Sequence, residues 1–259
     1  MSTWRLLDTG VLDAAHNMAL EKVLLTSCIK GTVPNTLHLL EFLPCVLLGF
    51  SQSVYDEVNI DYCRENNIAI NRRISGGGCI YMDSGTLGWE IVAKKTTPGI
   101  PGSLEGMYHK LCGAVIQTLS LFGITALYRP LNDIEIGGKK ISGTGGTELK
   151  DSFIFHGTIL VDFLADTMVK ALKVPMKKPK NKKAGDVDLR TICMRELLGY
   201  APPMAEVKAR LTSAFAEILH IEFENAGLIQ EETDSLNMEL PLFYREEWVY
   251  SMKGPEWIT

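Results

Sequence analysis

Apolar positions along the chain fall into helical and alternating runs, and these divide it into segments. From Asp13, an apolar face that includes Ala14, Met18 and Val23 runs to about Cys28 and stops before Gly31, which predicts a first helix capped by the Asp13 carboxylate. Thr36 to Phe42 and Val46 to Phe50, separated by Pro44, read as a strand pair. A short helix near Ile60 to Asn66 leads into a strand from Ile68 to Arg73. Ile74-Ser75-Gly76-Gly77-Gly78 must then be a loop, because three glycines lose too much entropy inside a regular element. Cys79 to Met82 and Leu87 to Ala93 read as strands on either side of Asp83-Ser84-Gly85.

The helical period returns at Leu104 to Leu121 through Met107, Leu111, Val115 and Leu119, and Gly123 ends it. Short strands follow at Thr125 to Tyr128, Asp133 to Ile136, Lys140 to Ser142 and Phe153 to Asp162. Val207, Leu211, Phe215 and Leu219 mark a last amphipathic helix within Pro203 to His220. Helices before and after a block of short strands imply an α+β fold rather than a doubly wound parallel one. Lys177 to Lys183 holds five lysines in seven residues, broken by Pro179 and Asn181, and reads as a mobile surface loop. The acidic and aromatic tail with Trp248, Tyr250 and Trp257 reads as a covering segment of the same domain. The expected organisation is one domain over 1–259, with a core at 1–175, a lysine-rich loop and return at 176–200, and a helix and tail at 201–259.

Composition narrows the function classes. Hydrophobic residues are 46% and charged residues 22%, enough apolar surface for a sizeable core, so disorder is excluded for most of the 259 residues. Lys plus Arg number 26 against 31 for Asp plus Glu; the net charge of -5 gives no overall drive toward nucleic acid or an anionic membrane. The most apolar stretch, Leu37 to Phe50, is interrupted by His38, Glu41 and Pro44 and falls short of the roughly 20 residues of a spanning helix. Met1 to Asp8 lacks a basic region followed by an apolar one, so a cytoplasmic location is expected. Six cysteines, at 28, 45, 63, 79, 112 and 193, form no C-x-x-C pair and read as reduced, mostly buried thiols.

Three clusters can carry chemistry. Arg72-Arg73-Ile74-Ser75-Gly76-Gly77-Gly78 puts guanidinium groups beside a loop whose backbone N–H groups can approach an anion, although three glycines also make a simple tight turn. It is neither a Walker loop nor a dinucleotide fingerprint. In Asn132-Asp133 followed by Gly137-Gly138-Lys139-Lys140-Ile141-Ser142-Gly143, adjacent lysines on a strand face opposite sides, so either Lys140 or Lys139 is a candidate interior cation and Asp133 a candidate Mg²⁺ ligand. The plain alternative is a hairpin with both lysines in water. Phe155-His156-Gly157-Thr158-Ile159-Leu160 sets a histidine in an apolar strand, where a satisfied core role is the ordinary one, and no Ser/His/Asp arrangement or metal-ligand spacing involves it.

In this order, R-R-x-S-G-G-G, then N-D with G-x-K-x-S-G, then H-G-x-x-L, the clusters resemble the lipoate-protein ligases and related lipoyl/octanoyl transferases over roughly residues 1 to 200. The resemblance implies the biotin/lipoate ligase catalytic fold, a mixed sheet with packing helices like that of class II aminoacyl-tRNA synthetases. It also implies ATP, Mg²⁺ and lipoate as ligands: lipoate becomes lipoyl-adenylate, and an acceptor lysine takes the acyl group. Lys140 matches the lysine contacting the carboxylate and α-phosphate. Arg73, Ser75, Gly76, Gly77 and Gly78, with Cys79 where the family has alanine, match the adenylate-binding loop, Arg73 lying near the acyl carboxyl end. Asn132 and Asp133 match the pair holding nucleotide and Mg²⁺, and Ser142, Gly143, His156 and Gly157 match further site positions. The lysine run resembles a family loop that would close over the adenylate.

Some positions depart from the family. Tyr81-Met82-Asp83-Ser84-Gly85-Thr86-Leu87-Gly88 lacks the usual histidine and asparagines, and Thr147 stands where a basic contact is usual. An octanoyltransferase with a cysteine nucleophile is the nearest alternative; Tyr128 to Asp133, where one branch carries it, has no cysteine, which leaves Cys79. A non-catalytic binding module is another alternative, while biotin ligase lacks its G-R-G-R-x-G-R-x-W run. Expected partners are a lipoyl domain or a glycine-cleavage H-protein-like acceptor; with no accessory domain fused, either a separate small ligase subunit supplies that part or the catalytic domain works alone.

Overall fold

The Asp13 carboxylate accepts a hydrogen bond from His16 N at 2.9 Å and starts helix α1 (Ala14–Lys30), which ends at Gly31 in the left-handed conformation. In the computed structural model the described residues are 2–130, 132–173 and 190–251; the run Lys177 to Lys183 and Trp257 lie outside them. Strand β1 (Ser2–Leu12) precedes α1. After it come β2 (Thr36–Phe42), β3 (Cys45–Leu48), α2 (Val54–Glu57), α3 (Ile60–Glu65), β4 (Ala69–Arg72), β5 (Ile80–Met82) and β6 (Thr86–Lys94). The middle of the chain forms α4 (Leu104–Ser120), β7 (Leu127–Arg129), β8 (Asp133–Ile136), β9 (Lys139–Leu149), β10 (Ser152–Leu160) and α5 (Ala165–Ala171). The last described segment gives α6 (Met194–Leu198), α7 (Met204–Leu219), β11 (Ile221–Asn225), α8 (Gln230–Phe243) and α9 (Glu246–Tyr250).

Two sheets result. An eight-stranded mixed sheet has the order β11-β1-β2-β6-β10-β9-β8-β7, with β11, β1 and β2 parallel and the remaining pairs antiparallel. A three-stranded sheet has the order β4-β3-β5. This is the α+β architecture the segment pattern implies, with two corrections. Thr36 to Phe42 and the strand after Pro44 do not pair, because β2 joins the large sheet and β3 the small one; β5 and β6, either side of Asp83-Ser84-Gly85, divide in the same way. Nor does the strand at Lys140 stop at Ser142. It runs through Gly143, Gly145 and Gly146 to Leu149, because antiparallel pairing to β10 supplies the order those glycines do not.

Alternation along the central strands gives the large sheet two buried faces. Leu87, Trp89 and Ile91 of β6 and Phe153 and Phe155 of β10 pack with Leu111, Val115, Leu211 and Phe215 of α4 and α7. On the other face, Leu40 and Phe42 of β2, Val92 and Ile154 pack with Met18 and Leu24 of α1, Leu47 of the small sheet and Phe243 of α8. The C-terminal segment thus forms part of the core.

Candidate functional site

A cavity of about 340 Å³ opens between the two sheets. Its apolar wall includes Met18, Leu40, Phe42, Leu47, Ile80 and Met82, and its polar lining includes Arg73, Gly76, Gly77, Gly78, Asn132, Asp133, Lys140, Glu90 and His156. All three sequence clusters therefore meet at one place. β4 delivers the glycine loop, β8 and β9 the lysine and its partner, and β10 the histidine.

The two adjacent arginines are spent on backbone carbonyls. Arg72, 1% exposed, donates to the carbonyls of Gly49, Phe50, Gln52, Trp248, Val249 and Ser251 at 2.7 to 3.1 Å. Arg73 donates to Leu47 O at 3.0 Å and to Gly76 O and Gly78 O at 3.1 and 2.8 Å. Arg73 lines the cavity as expected, but its guanidinium shapes the loop around the left-handed Gly77 (φ +98°), where an open hand toward a carboxylate or phosphate is expected. Gly49 runs so close beneath this loop that a Cβ on it would overlap the Gly77 carbonyl oxygen.

The alternative between the paired lysines resolves to Lys140. Lys139 is exposed, whereas Lys140 lines the cavity and its Nζ lies 2.7 Å from Asp133 Oδ1 on the neighbouring strand. A Cβ on Gly143 would come within 2.5 Å of that ammonium, so the glycine leaves room for the lysine to fold back over its own strand. After the segment outside the described residues, the chain returns to this lysine: Lys140 N donates to Arg190 O, Ile192 N donates to Lys140 O, and Thr191 joins the lining. Asn132 is fixed through Thr144, whose N and Oγ1 both donate to its carbonyl at 2.9 Å. Ser142 does not line the cavity; its hydroxyl is buried without a partner among the described residues.

His156 departs from its expected isolation. Its Nδ1 lies 2.9 Å from Glu21 Oε1 on α1 and its Nε2 3.3 Å from Ser75 Oγ, a carboxylate–histidine–serine chain. Folding assembles it from three elements, so no local spacing marks it. Ser75 is fully buried and does not line the cavity, so its hydroxyl anchors the glycine loop and does not face a substrate. Gly157, the histidine's neighbour, lines the cavity beside it. Glu21, Glu90 and His156 also stand close together, one side-chain oxygen or ring nitrogen of each lying within 4.8 Å of the others, a grouping that could hold a cation. Glu21 and Glu90 were missed in the sequence; the available signal was one acid in each of two apolar runs, Met18 to Leu25 and Leu87 to Ala93.

Among the cysteines, Cys28, Cys45, Cys63, Cys112 and Cys193 are buried, and Cys79 alone lines the cavity. Burial pushes the Cys79 thiol up to about 12 despite the nearby Arg73 guanidinium, so it is a neutral thiol at pH 7. Of the departures from the family pattern, Met82 and Gly88 line the cavity. Thr86 is turned inward, its hydroxyl donating to Asp83 Oδ1 at 3.1 Å. Burial raises the Asp83 carboxyl above its ordinary value, although Leu164 N, Thr86 Oγ1 and Gly85 N all donate to it. No helix among the described residues is long and apolar enough to cross a membrane.

The model of the lipoyl protein ligase A/B catalytic domain matches residues 13–216. An octanoyltransferase LipM of Kyrpidia tusciae is 27% identical over 96% of this chain and 99% of its own length. A lipoate-protein ligase A subunit 1 of Thermoplasma acidophilum is 31% identical over 78% of this chain and 79% of its own. The crystal structure of a lipoate-protein ligase A bound with ATP superposes with a TM-score of 0.85 at 24% identity, covering 97% of this chain and 100% of the other.

Proposed function

Because the chain belongs to the family of lipoyl protein ligase A/B catalytic domains, we propose that it is the ATP-dependent member of the pair of chemistries the family contains, a lipoate-protein ligase. One observation carries this reading: the Lys140 ammonium, fixed by Asp133 at 2.7 Å, stands beside a glycine loop on an apolar cavity whose one cysteine is held neutral. In the proposed reaction a carboxylate oxygen of lipoate attacks the α-phosphorus of ATP and pyrophosphate leaves. The ε-amine of an acceptor lysine then attacks the acyl carbonyl and AMP leaves with the electron pair of the broken bond. Lys140 offsets the negative charge that develops on the carboxylate and α-phosphate oxygens; Asp133 holds it in position. The N–H groups of Gly76 to Gly78 offer donors to the adenylate.

Asp133 and Asn132 are hard oxygen donors of the kind that hold a partly hydrated Mg²⁺ against phosphate, and Asp133 would be its protein ligand. When bound, the ion would neutralise charge on the phosphates. The chain, 1–259, would work as one catalytic domain in the cytoplasm, on a lipoyl domain or an H-protein-like acceptor. A separate small subunit fits the naming of the Thermoplasma relative as a subunit 1.

The LipM relative, matched over nearly its whole length, and the cavity thiol of Cys79 favour a second reading, octanoyl transfer from a carrier thioester without ATP. Intact mass of an apo acceptor decides. A lipoyl gain with lipoate and Mg-ATP is the expected result. A gain from preformed lipoyl-adenylate alone would leave transfer to this chain and assign activation to a second subunit. A gain from octanoyl carrier protein alone would overturn the ligase reading.

A further inference from the structure

The glycine loop is held from beneath, and the hold reaches the last described turn of the chain. The turn after β3 supports the loop at two points: Gly49 leaves no room for a Cβ against the Gly77 carbonyl oxygen, and Phe50 N donates to Ser75 O at 2.9 Å. Gln52 Oε1 closes that turn by accepting from Gly49 N at 2.9 Å. One buried side chain then joins the turn to the C-terminal segment. Nη1 of Arg72 donates to the carbonyls of Gly49, Phe50 and Gln52, while its Nε and Nη2 donate to those of Trp248, Val249 and Ser251. The segment also grips β4 itself: Trp248 Nε1 donates to Arg72 O at 3.0 Å, and Phe243 O accepts from Asn71 Nδ2 at 2.8 Å. The Trp248 ring packs on Phe50 of the turn and on Phe243 of α8, with centroids 6.5 and 5.0 Å away.

Residues 248–251 do not line the cavity, so any influence they have on it travels through these contacts. A guanidinium is a rigid planar fork, and here its two arms are shared between the turn and the segment. If the segment shifts, buried donors and carbonyls lose partners that water does not replace, and the turn loses its anchor. Order on one side of Arg72 therefore favours order on the other.

We infer that Trp248 is a positioning residue for the nucleotide: acting through Arg72 and the 49–52 turn, it sets the fraction of time the glycine loop spends in its binding conformation, and a nucleotide held by the loop tightens 248–251 in return. A loop that is ordered only part of the time binds with an affinity lowered by that fraction, and saturating ligand restores the order. The coupling is reciprocal by thermodynamic necessity. The inference rests on the reading of the glycine loop as an adenylate site.

Hydrogen exchange and equilibrium dialysis of the full chain with Mg-ATP, without lipoate so that no acid is activated, test it. ATP should slow amide exchange in the 74–79 loop and in 246–251 together, and leave α7, on the other face of the large sheet, unchanged. Trp248→Phe keeps a ring against Phe50 and Phe243 but has no N–H for Arg72 O; it should weaken ATP binding about fivefold or more, and saturating ATP should return its loop exchange to that of the unmodified chain. Glu239→Gln removes the pair with Lys22 elsewhere on α8 and should leave ATP affinity within about twofold. Protection of the loop with 246–251 unmoved, a folded Trp248→Phe that binds ATP as tightly as the unmodified chain, or an equal loss in Glu239→Gln would each overturn the role of Trp248 and leave the ligase reading standing. If Trp248→Phe does not fold, exchange in the unmodified chain decides. No ATP binding by the unmodified chain would instead remove the ATP reading itself, and this inference with it.

Discussion

Arg72 and Arg73 are neighbours of identical chemistry with different work. Six carbonyl oxygens from residues 49–52 and 248–251 converge on Arg72, so replacing it strands several buried acceptors at once. Arg72→Met should cost about 3 kcal/mol or more in chemical denaturation. Lys140 is the opposite case. Its side chain is 32% exposed and pairs with an Asp133 that is 25% exposed, so little stability depends on it. Lys140→Ala should leave the thermal midpoint nearly unchanged and lower acyl-adenylate formation by about 10² to 10³-fold, the usual loss for an electrostatic donor. Full activity in that variant would refute its placement in the reaction. Cys79→Ser gives the complementary check: a thiol held neutral by burial should be dispensable, and loss of acceptor acylation would return the carrier-thioester reading.

At the scale of elements, α1 supplies Met18 and Glu21 to the site, and its start is set by Asp13. Burial pushes the Asp13 carboxyl up, but His16 N, the Tyr244 hydroxyl and the His16 ring outweigh it and hold it below its ordinary value. The charged form is therefore the one the fold favours. This contribution is complete above the ordinary carboxylate range near pH 4 and is lost as pH falls through the lowered value. Asp13→Ala should cost about 1 kcal/mol at pH 7, and in urea titrations the gap to the unmodified protein should close as the pH is lowered below the ordinary carboxylate range. A second element-level constraint lies between the strand end at Gly49 and the glycine loop. Gly49→Ala must displace the Gly77 carbonyl, and with it the loop that Arg73 holds; ATP and acyl binding should fall together while secondary structure by circular dichroism is retained.

Across the whole molecule, the two ends of the described chain are fastened by a buried pair. Arg5 on β1 donates to Glu232 on α8 with both Nη1 and Nη2, at 2.6 and 2.8 Å, and both residues are nearly free of solvent contact. Removing one partner leaves an uncompensated buried charge, so Arg5→Met should cost about 3 to 5 kcal/mol, whereas replacing both residues with apolar ones should recover much of that loss. A double-mutant denaturation cycle measures the coupling. The segment 230–251 also delivers Phe243 and Trp248 to the core and three carbonyls to Arg72, so it works as more than a cover for the site.

Most helices and strands were legible in the sequence because their signals are local: the Asp13 cap with Gly31, the spacing of Met107, Leu111, Val115 and Leu119, the alternation in β6 and β10. α8 was less legible, since Pro241 interrupts its pattern, and β1 and β11 stay unmarked until they pair with each other. The identity of the site's main parts, the Arg-Arg-Ile-Ser-Gly-Gly-Gly loop, Asn132-Asp133, Lys140 and His156-Gly157, was likewise in the order of motifs. Their relation was not. Whether β2 meets β3, which of Lys139 and Lys140 faces inward, that Arg73 turns to carbonyls, and that Glu21, Glu90, His38 and His156 gather under one cavity are all decided by contacts between residues distant in the chain. A residue type and its near neighbours fix what a side chain can donate or accept. Which partner it takes depends on the sheet register, and that register is set by burying both faces of the large sheet at once.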